Sequence, residues 1–217
     1  DAPWEGNGCA YQSIFRDGER IRLYYRGGHN PASRAFETDK LSWETLCLAE
    51  STDGIRWTRP DLGIVEFRGS AENNLILDAA MVAEIGGSPA HTAVFKDTNP
   101  DCPGAERYKM VIRGSRPHGL YLMVSADGLR FKLKSATPFT TTGAFDSQNL
   151  MFWDSVGRVY REYHRNFAGG VRGNPDNAGV FLGALTGHGQ PQDRRRALDA
   201  GFDAHLVVID EDVATGG

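Results

Sequence analysis

Two carboxylates stand where a chain must place them if they are to act together. Glu5, in Pro3-Trp4-Glu5-Gly6-Asn7, and Asp146, in Phe145-Asp146-Ser147-Gln148-Asn149, each sit just ahead of a run that reads as a β-strand. Glycoside hydrolysis uses such a pair. One carboxyl group protonates the leaving oxygen and the other acts as base or nucleophile on the opposite face of the sugar. Groups suited to sugar hydroxyls accompany them: Asn7, Gln148 and Asn149 as hydrogen-bonding amides, Trp4 as a stacking face, and Arg172 as a further contact. His91 opens another strand and is suited to a sugar or a metal ion. Each has a plainer reading beside it: a solvated terminal residue for Glu5, a turn residue for Asp146, a hydrogen-bonded structural histidine for His91. Core packing is the expectation for Trp153.

The elements that must position these groups are read from two repeats. Ser51-Thr52-Asp53-Gly54-Ile55-Arg56-Trp57 returns as Ser125-Ala126-Asp127-Gly128-Leu129-Arg130-Phe131. Asp-Gly suits a tight hairpin, because Gly accepts positive φ and the Asp side chain can bond its own backbone. The aromatic that follows returns to a buried face. Between these turns a second pattern recurs: a strand, an Asp-containing turn, and an alternating strand that ends in a basic residue. Its copies are Ala10–Asp17 with Arg20–Gly27, His91–Asp97 with Arg107–Gly114, and Asn149–Asp154 with Arg158–Arg165. Period-2 alternation marks half-buried strands. One unit is therefore two hairpins, or four antiparallel strands, the make-up of a β-propeller blade.

The chain is expected to be all-β, with blades over Trp4–Phe67 and Ile85–Phe139 and a third beginning near Phe145. Hairpin turns are expected at Asp17-Gly18, Asp53-Gly54 and Asp127-Gly128. In a propeller the first strand of each blade lines the central channel, which is where Glu5, His91 and Asp146 fall. The propeller domain is drawn over residues 1–182, with a divergent tail over 183–217. In that tail Asp193–Ala200 is expected to form two helical turns and His205–Ile209 a strand.

The 217 residues are 40% hydrophobic and 24% charged with a net charge of −4, which suits a globular core and gives no bulk attraction to nucleic acid or an anionic membrane. No apolar run is long enough to span a bilayer. Asp1-Ala2-Pro3-Trp4 carries no basic-then-apolar leader. Cys9, Cys47 and Cys102 are odd in number and widely spaced, so neither a disulfide framework nor a metal motif is expected. The basic run Arg194-Arg195-Arg196 reads as solvated surface. No cofactor and no metal are expected.

Pro3-Trp4-Glu5-Gly6-Asn7, the Ser51–Trp57 turn with Arg59-Pro60-Asp61-Leu62-Gly63, and Phe145-Asp146-Ser147-Gln148-Asn149 together resemble the five-bladed propeller glycosidases of the arabinanase, levansucrase and invertase superfamily. The resemblance covers about Pro3 to Arg172. It implies a five-bladed propeller, incomplete in this chain, acting on a carbohydrate through channel-facing carboxylates. Glu5 then takes the place of the base or nucleophile by position, although arabinanase-type members carry Asp-Pro there. Asp146 takes that of the aspartate that orients the acid. The acid itself, a Glu from a later blade, has no match, and Glu162 lies on a second strand, further from the channel. Two alternatives stand beside hydrolysis: a carbohydrate-binding fragment that has lost the acid, and a module completing its ring as a homo-oligomer.

Overall fold

The computed structural model describes residues 2–8, 10–30, 42–165, 167–168, 171–172, 180–186 and 204–207, with side chains up to residue 165 within that set. Three four-stranded sheets follow one another along the chain. The first joins β1 (Ala10–Asp17), β2 (Arg20–His29), β3 (Trp43–Ser51) and β4 (Leu75–Asp78) in that order, all antiparallel. The second joins β5 (Ser88–Lys96), β6 (Tyr108–Ser115), β7 (His118–Ser125) and β8 (Lys132–Leu133) in the same way. The third opens with β9 (Leu150–Asp154) and β10 (Val159–Arg165). After a short ribbon of β11 (Phe167–Ala168) and β12 (Val171–Arg172), it adds β13 (Val180–Thr186) and β14 (Ala204–Val207). Among the described residues helix is confined to three-residue 3₁₀ turns at Pro3–Glu5, Ala83–Ile85 and Gly104–Glu106. None is long and apolar enough to cross a membrane.

The sheets are blades. Their first strands lie side by side, with β5 against both β1 and β9, and the cores lie between the sheets. Period-2 alternation sends successive residues to opposite faces. Tyr24, Leu46 and Leu48 of the first blade meet Val94, Met110, Ile112 and Met123 of the second. Tyr25, Cys47 and Ala49, one residue out of phase, face away and are covered by Trp4, Trp57, Ile64 and Phe67. Val111, Leu120, Phe145 and Met151 fill the seam between the second and third blades, with Phe95 and Tyr160 packed on them. Polar bonds fasten the same seams: Asp17 accepts from Lys96 at 2.6 Å and from the Tyr108 hydroxyl at 2.7 Å, and Asp97 accepts from the Tyr160 hydroxyl at 2.5 Å.

Three expectations need correction in detail. The Asp17-Gly18 turn is a two-residue hairpin closed by the Asp17↔Arg20 pair, but the two Ser-x-Asp-Gly turns are broader. In the first, Ser51 Oγ accepts the N–H of Asp53 and Gly54 while Asp53 Oδ1 accepts those of Ile55 and Arg56. Ser125 and Asp127 repeat every one of these bonds. Side-chain oxygens thus take up four backbone donors that a two-residue hairpin would have paired with its partner strand. The blade limits also shift. After Ser51 the chain makes only the isolated bridges Glu50↔Thr58 and Phe67↔Ser70, and the fourth strand waits until Leu75, so the first blade ends at Asp78 rather than Phe67. Finally, β14 is parallel to β13 rather than antiparallel. Of the strand expected over His205–Ile209, residues 205–207 lie in β14 and residues 208–209 lie outside the described residues, and the break drawn after residue 182 falls inside β13. The turns expected over Asp193–Ala200 lie outside the described residues.

Candidate functional site

Three irregularities mark the same end of the blades, where β1, β5 and β9 begin. In β1 the register slips between Ala10 and Ser13, and in β5 between Ser88 and Thr92. Bulges of this kind re-aim side chains. The first holds Tyr11 and the second holds His91, whose rings lie 5.8 Å apart. Ahead of β9, Phe145 adopts φ 54°, a left-handed conformation unusual for a bulky side chain. The kink buries Phe145 in the seam and leaves Asp146 43% exposed at the blade end.

Basic residues stand across from these irregularities, one per blade. Arg26 pairs with Ala10 across β1 and β2, Arg113 pairs with Ser88 across β5 and β6, and Arg165 ends β10. Arg165 donates to Asp146 Oδ2 at 2.7 Å, leaving Oδ1 without a hydrogen bond among the described residues. Arg26 lies 3.7 Å from Glu44. Arg113 has no carboxylate within ion-pair distance among the described residues. Glu44 accepts from the Ser88 hydroxyl at 2.7 Å, and Ser88 Oγ lies 2.8 Å from His91 Nδ1. Burial lowers the His91 pKa from its ordinary value. Glu44 opposes that, Arg113 and Arg26 add to it, and Asp146 opposes it more weakly. Groups from all three blades therefore share one electrostatic environment.

Glu5 belongs to a different network. Its Oε1 accepts from the Tyr25 hydroxyl at 2.5 Å and from Arg59 Nε at 2.7 Å, while Oε2 accepts from Arg59 Nη2 at 3.1 Å and from Ala2 N–H at 2.9 Å. Burial pushes this carboxyl up, but Arg59, Tyr25 and the Ala2 amide outweigh it and hold it below the usual glutamate range. Glu5 is thus ionised, with both oxygens occupied. Trp4 donates to Asn74 Oδ1 at 2.6 Å and packs on the outer core of the first blade. Asn7 bonds both the carbonyl and the N–H of Asn30 at 3.1 Å, tying the N-terminal segment to the end of β2.

Gln148 donates to the Gln12 carbonyl at 3.0 Å, linking the third blade to the first. Asn149 is buried and spans its own loop through the Phe145 and Ser147 carbonyls. Glu162 is fully enclosed, with His164 Nδ1 2.8 Å from Oε2; burial raises its pKa, and His164 opposes the rise. That is the protonation bias of a general acid in a place no substrate reaches. Trp153, for which core packing is expected, is half-buried and packs edge-on against Tyr160 at 4.9 Å. Arg172 lies on β12, its side chain outside the described set. Cys47 and Cys102 are buried free thiols.

Sequence reasoning missed Arg26, Glu44, Ser88, Arg113 and Arg165. A signal for three of them was present, since each second strand of the repeat ends in a basic residue. Nothing in the sequence pointed to Glu44 or Ser88, which meet only across the seam between two blades. Among the described residues no group of three or more His, Cys, Asp or Glu side chains is arranged to hold a metal ion.

The sequence matches no protein-family model and no curated protein. Among solved structures it is similar to a glycosyl hydrolase from Bacteroides ovatus, at 15% identity and a TM-score of 0.42, over 81% of this chain and 46% of that one. It is also similar, at 14% identity and the same TM-score and coverage, to a chain described with the GH130 family of mannoside phosphorylases, which contains glycoside hydrolases that target β-1,2 mannosidic linkages in Candida mannan. The chain spans about half the length of these neighbours.

Proposed function

We propose that this chain is part of a carbohydrate-acting β-propeller that takes its sugar at the blade end where β1, β5 and β9 begin, with Asp146 as the carboxylate at the reacting bond. The observation that carries this reading is the convergence of Asp146, His91, Arg113 and the Arg26–Glu44 pair from three blades onto that end. Asp146 keeps one carboxylate oxygen open while Arg165 fixes the other. Of the two carboxylates singled out in the sequence, Glu5 meets the need for an ionised group, but its oxygens are occupied by Arg59, Tyr25 and Ala2. In this reading it anchors the N-terminal segment.

The second reading is sugar binding without hydrolysis. It is favoured by one observation: Glu162, whose pKa is raised, is enclosed away from the blade end. A panel of glycosides and a glycan-binding array, run on the wild type and on Asp146→Asn, separate the two. Hydrolysis that falls about 10²- to 10⁴-fold in the variant, with glycan binding retained, supports catalysis through Asp146. Binding with no turnover by the wild type supports the second reading. A wild type that neither binds nor cleaves any glycan overturns both.

A further inference from the structure

Ser88 Oγ sits between two partners, Glu44 Oε2 at 2.7 Å and His91 Nδ1 at 2.8 Å. A serine hydroxyl has one hydrogen to give, and an ionised carboxylate can only accept. The hydrogen therefore goes to Glu44, and Ser88 Oγ accepts from Nδ1–H of His91. That places the ring hydrogen on Nδ1 and leaves a lone pair on Nε2. Nε2 makes no hydrogen bond to any described residue and is not among the side-chain atoms shut off from solvent.

We infer that the Glu44–Ser88–His91 chain, running from β3 of the first blade to β5 of the second, makes His91 Nε2 a hydrogen-bond acceptor for a ligand hydroxyl, so that this position selects a neutral polyol over an anionic sugar. Glu44 and Ser88 are positioning residues. The lone pair repels a carboxylate or a sulfate, whereas a sugar hydroxyl satisfies it. Arg113, opposite Ser88 in the sheet and without an ion-pair partner among the described residues, is a donor close enough to act on the ring electrostatically. The charged groups around the ring are Glu44 on β3, Arg26 on β2, Arg113 on β6 and Asp146 before β9. With burial they leave His91 neutral near pH 7, which the acceptor role requires. Protonation would turn Nε2 into a donor and abolish the preference. The ligand class rests on the carbohydrate reading above; the tautomer does not.

The tautomer is read by long-range ¹H–¹⁵N correlation on the full chain labelled at histidine, with His91 assigned by loss of its signals in His91→Asn. Protonated Nδ1 and unprotonated Nε2 near neutral pH are expected. An Nε2–H ring in the wild type overturns the relay whether or not glycans bind. Ser88→Ala removes the acceptor and should release the ring to the Nε2–H form. If that variant fails to fold, Glu44→Gln serves instead, because the amide can donate to Ser88 and free its hydroxyl to donate to Nδ1. A ring that stays Nδ1–H in both overturns the relay. Binding is then measured against pH with a neutral oligosaccharide and its hexuronate counterpart. Neutral-sugar affinity should fall about tenfold per pH unit below the His91 titration. A preference for the hexuronate, or an Nδ1–H ring in a protein that binds no glycan, overturns the ligand assignment.

Discussion

Asp146 and Glu5 each bond an arginine, and they differ in what the arginine leaves over. Asp146 is 43% exposed and gives one oxygen to Arg165, so Asp146→Asn should leave stability within about 0.5 kcal/mol. Glu5 is 12% exposed at its side chain and fills all its bonding directions with Arg59, Tyr25 and Ala2. Glu5→Gln should therefore lower stability by about 1–3 kcal/mol, the range for hydrogen bonds to a charged group. Urea unfolding of both variants near pH 7 checks the contrast. Acid sharpens it. The Glu5 pKa is held down in the fold, so its contribution is present above the ordinary glutamate range and is lost as pH falls through the folded value. The gap between wild type and Glu5→Gln should close in that window, and a gap that stays constant with pH would remove the ion pair as its cause.

At the scale of elements, the repeated turn is the same device used in two surroundings. Gly54 and Gly128 share φ near 76° and 75°. A Cβ on Gly54 would meet only Ile21 Cδ1 at 3.3 Å. One on Gly128 would fall 2.4 Å from Arg22 Nη1 and 2.7 Å from the Tyr24 hydroxyl, which donates to the Gly128 carbonyl at 2.9 Å. Both alanine variants carry the backbone strain of positive φ, about 1 kcal/mol. Gly128→Ala must in addition displace the seam between the first two blades, so its melting temperature should fall clearly further than that of Gly54→Ala. Equal melting would mean that the second turn does not clamp the seam.

A second element-scale device is the β5–β6 turn. There Lys109 Nζ reaches Asp97 Oδ2 at 2.5 Å and Cys102 Sγ at 3.1 Å, with Asp97 fully enclosed. Burial pushes the Asp97 carboxyl up, but Lys109, Tyr160 and the Asn99 amide together hold it low. Lys109→Met strands that charge and should destabilise by about 3–5 kcal/mol near neutral pH. In the wild type, the stabilisation from Asp97 is present above its unfolded pKa and disappears as acid drops through the folded one. Denaturant midpoints measured across that window test both statements.

For the whole molecule, the asymmetry of the outer faces matters most. The far face of the first blade is covered by its own chain, through Trp4, Trp57, Ile64 and Phe67. On the third blade the alternation of β9 turns Met151 into the seam and leaves Leu150 46% and Phe152 43% exposed, with Phe152 stacked on Tyr163. In a propeller this is the face on which the next blade stacks. We propose that this chain self-associates through it, most simply as a two-fold dimer. Light scattering at micromolar concentration should show the oligomer, and Phe152→Asp should shift it to monomer. A wild-type monomer with a cooperative melt would count against this.

The sequence by itself determined the β class, the six hairpin strands from β1 to β10 that repeat in pairs, and the two Ser-x-Asp-Gly turns, because alternation and turn chemistry are local and each is written in consecutive residues. It placed Asp146 ahead of a first strand, since that follows from strand order alone, but it set His91 at the start of a strand that begins three residues earlier, at Ser88. Tertiary structure alone decided the rest. The delayed β4 and the parallel β14 depend on which edge a distant segment finds. Glu5 became an anchor because Arg59 and Tyr25 fold over it, and the tautomer of His91 is set by Glu44 from another blade. No spacing in the chain encodes these, for they arise where separate sheets pack and their charges meet across a seam.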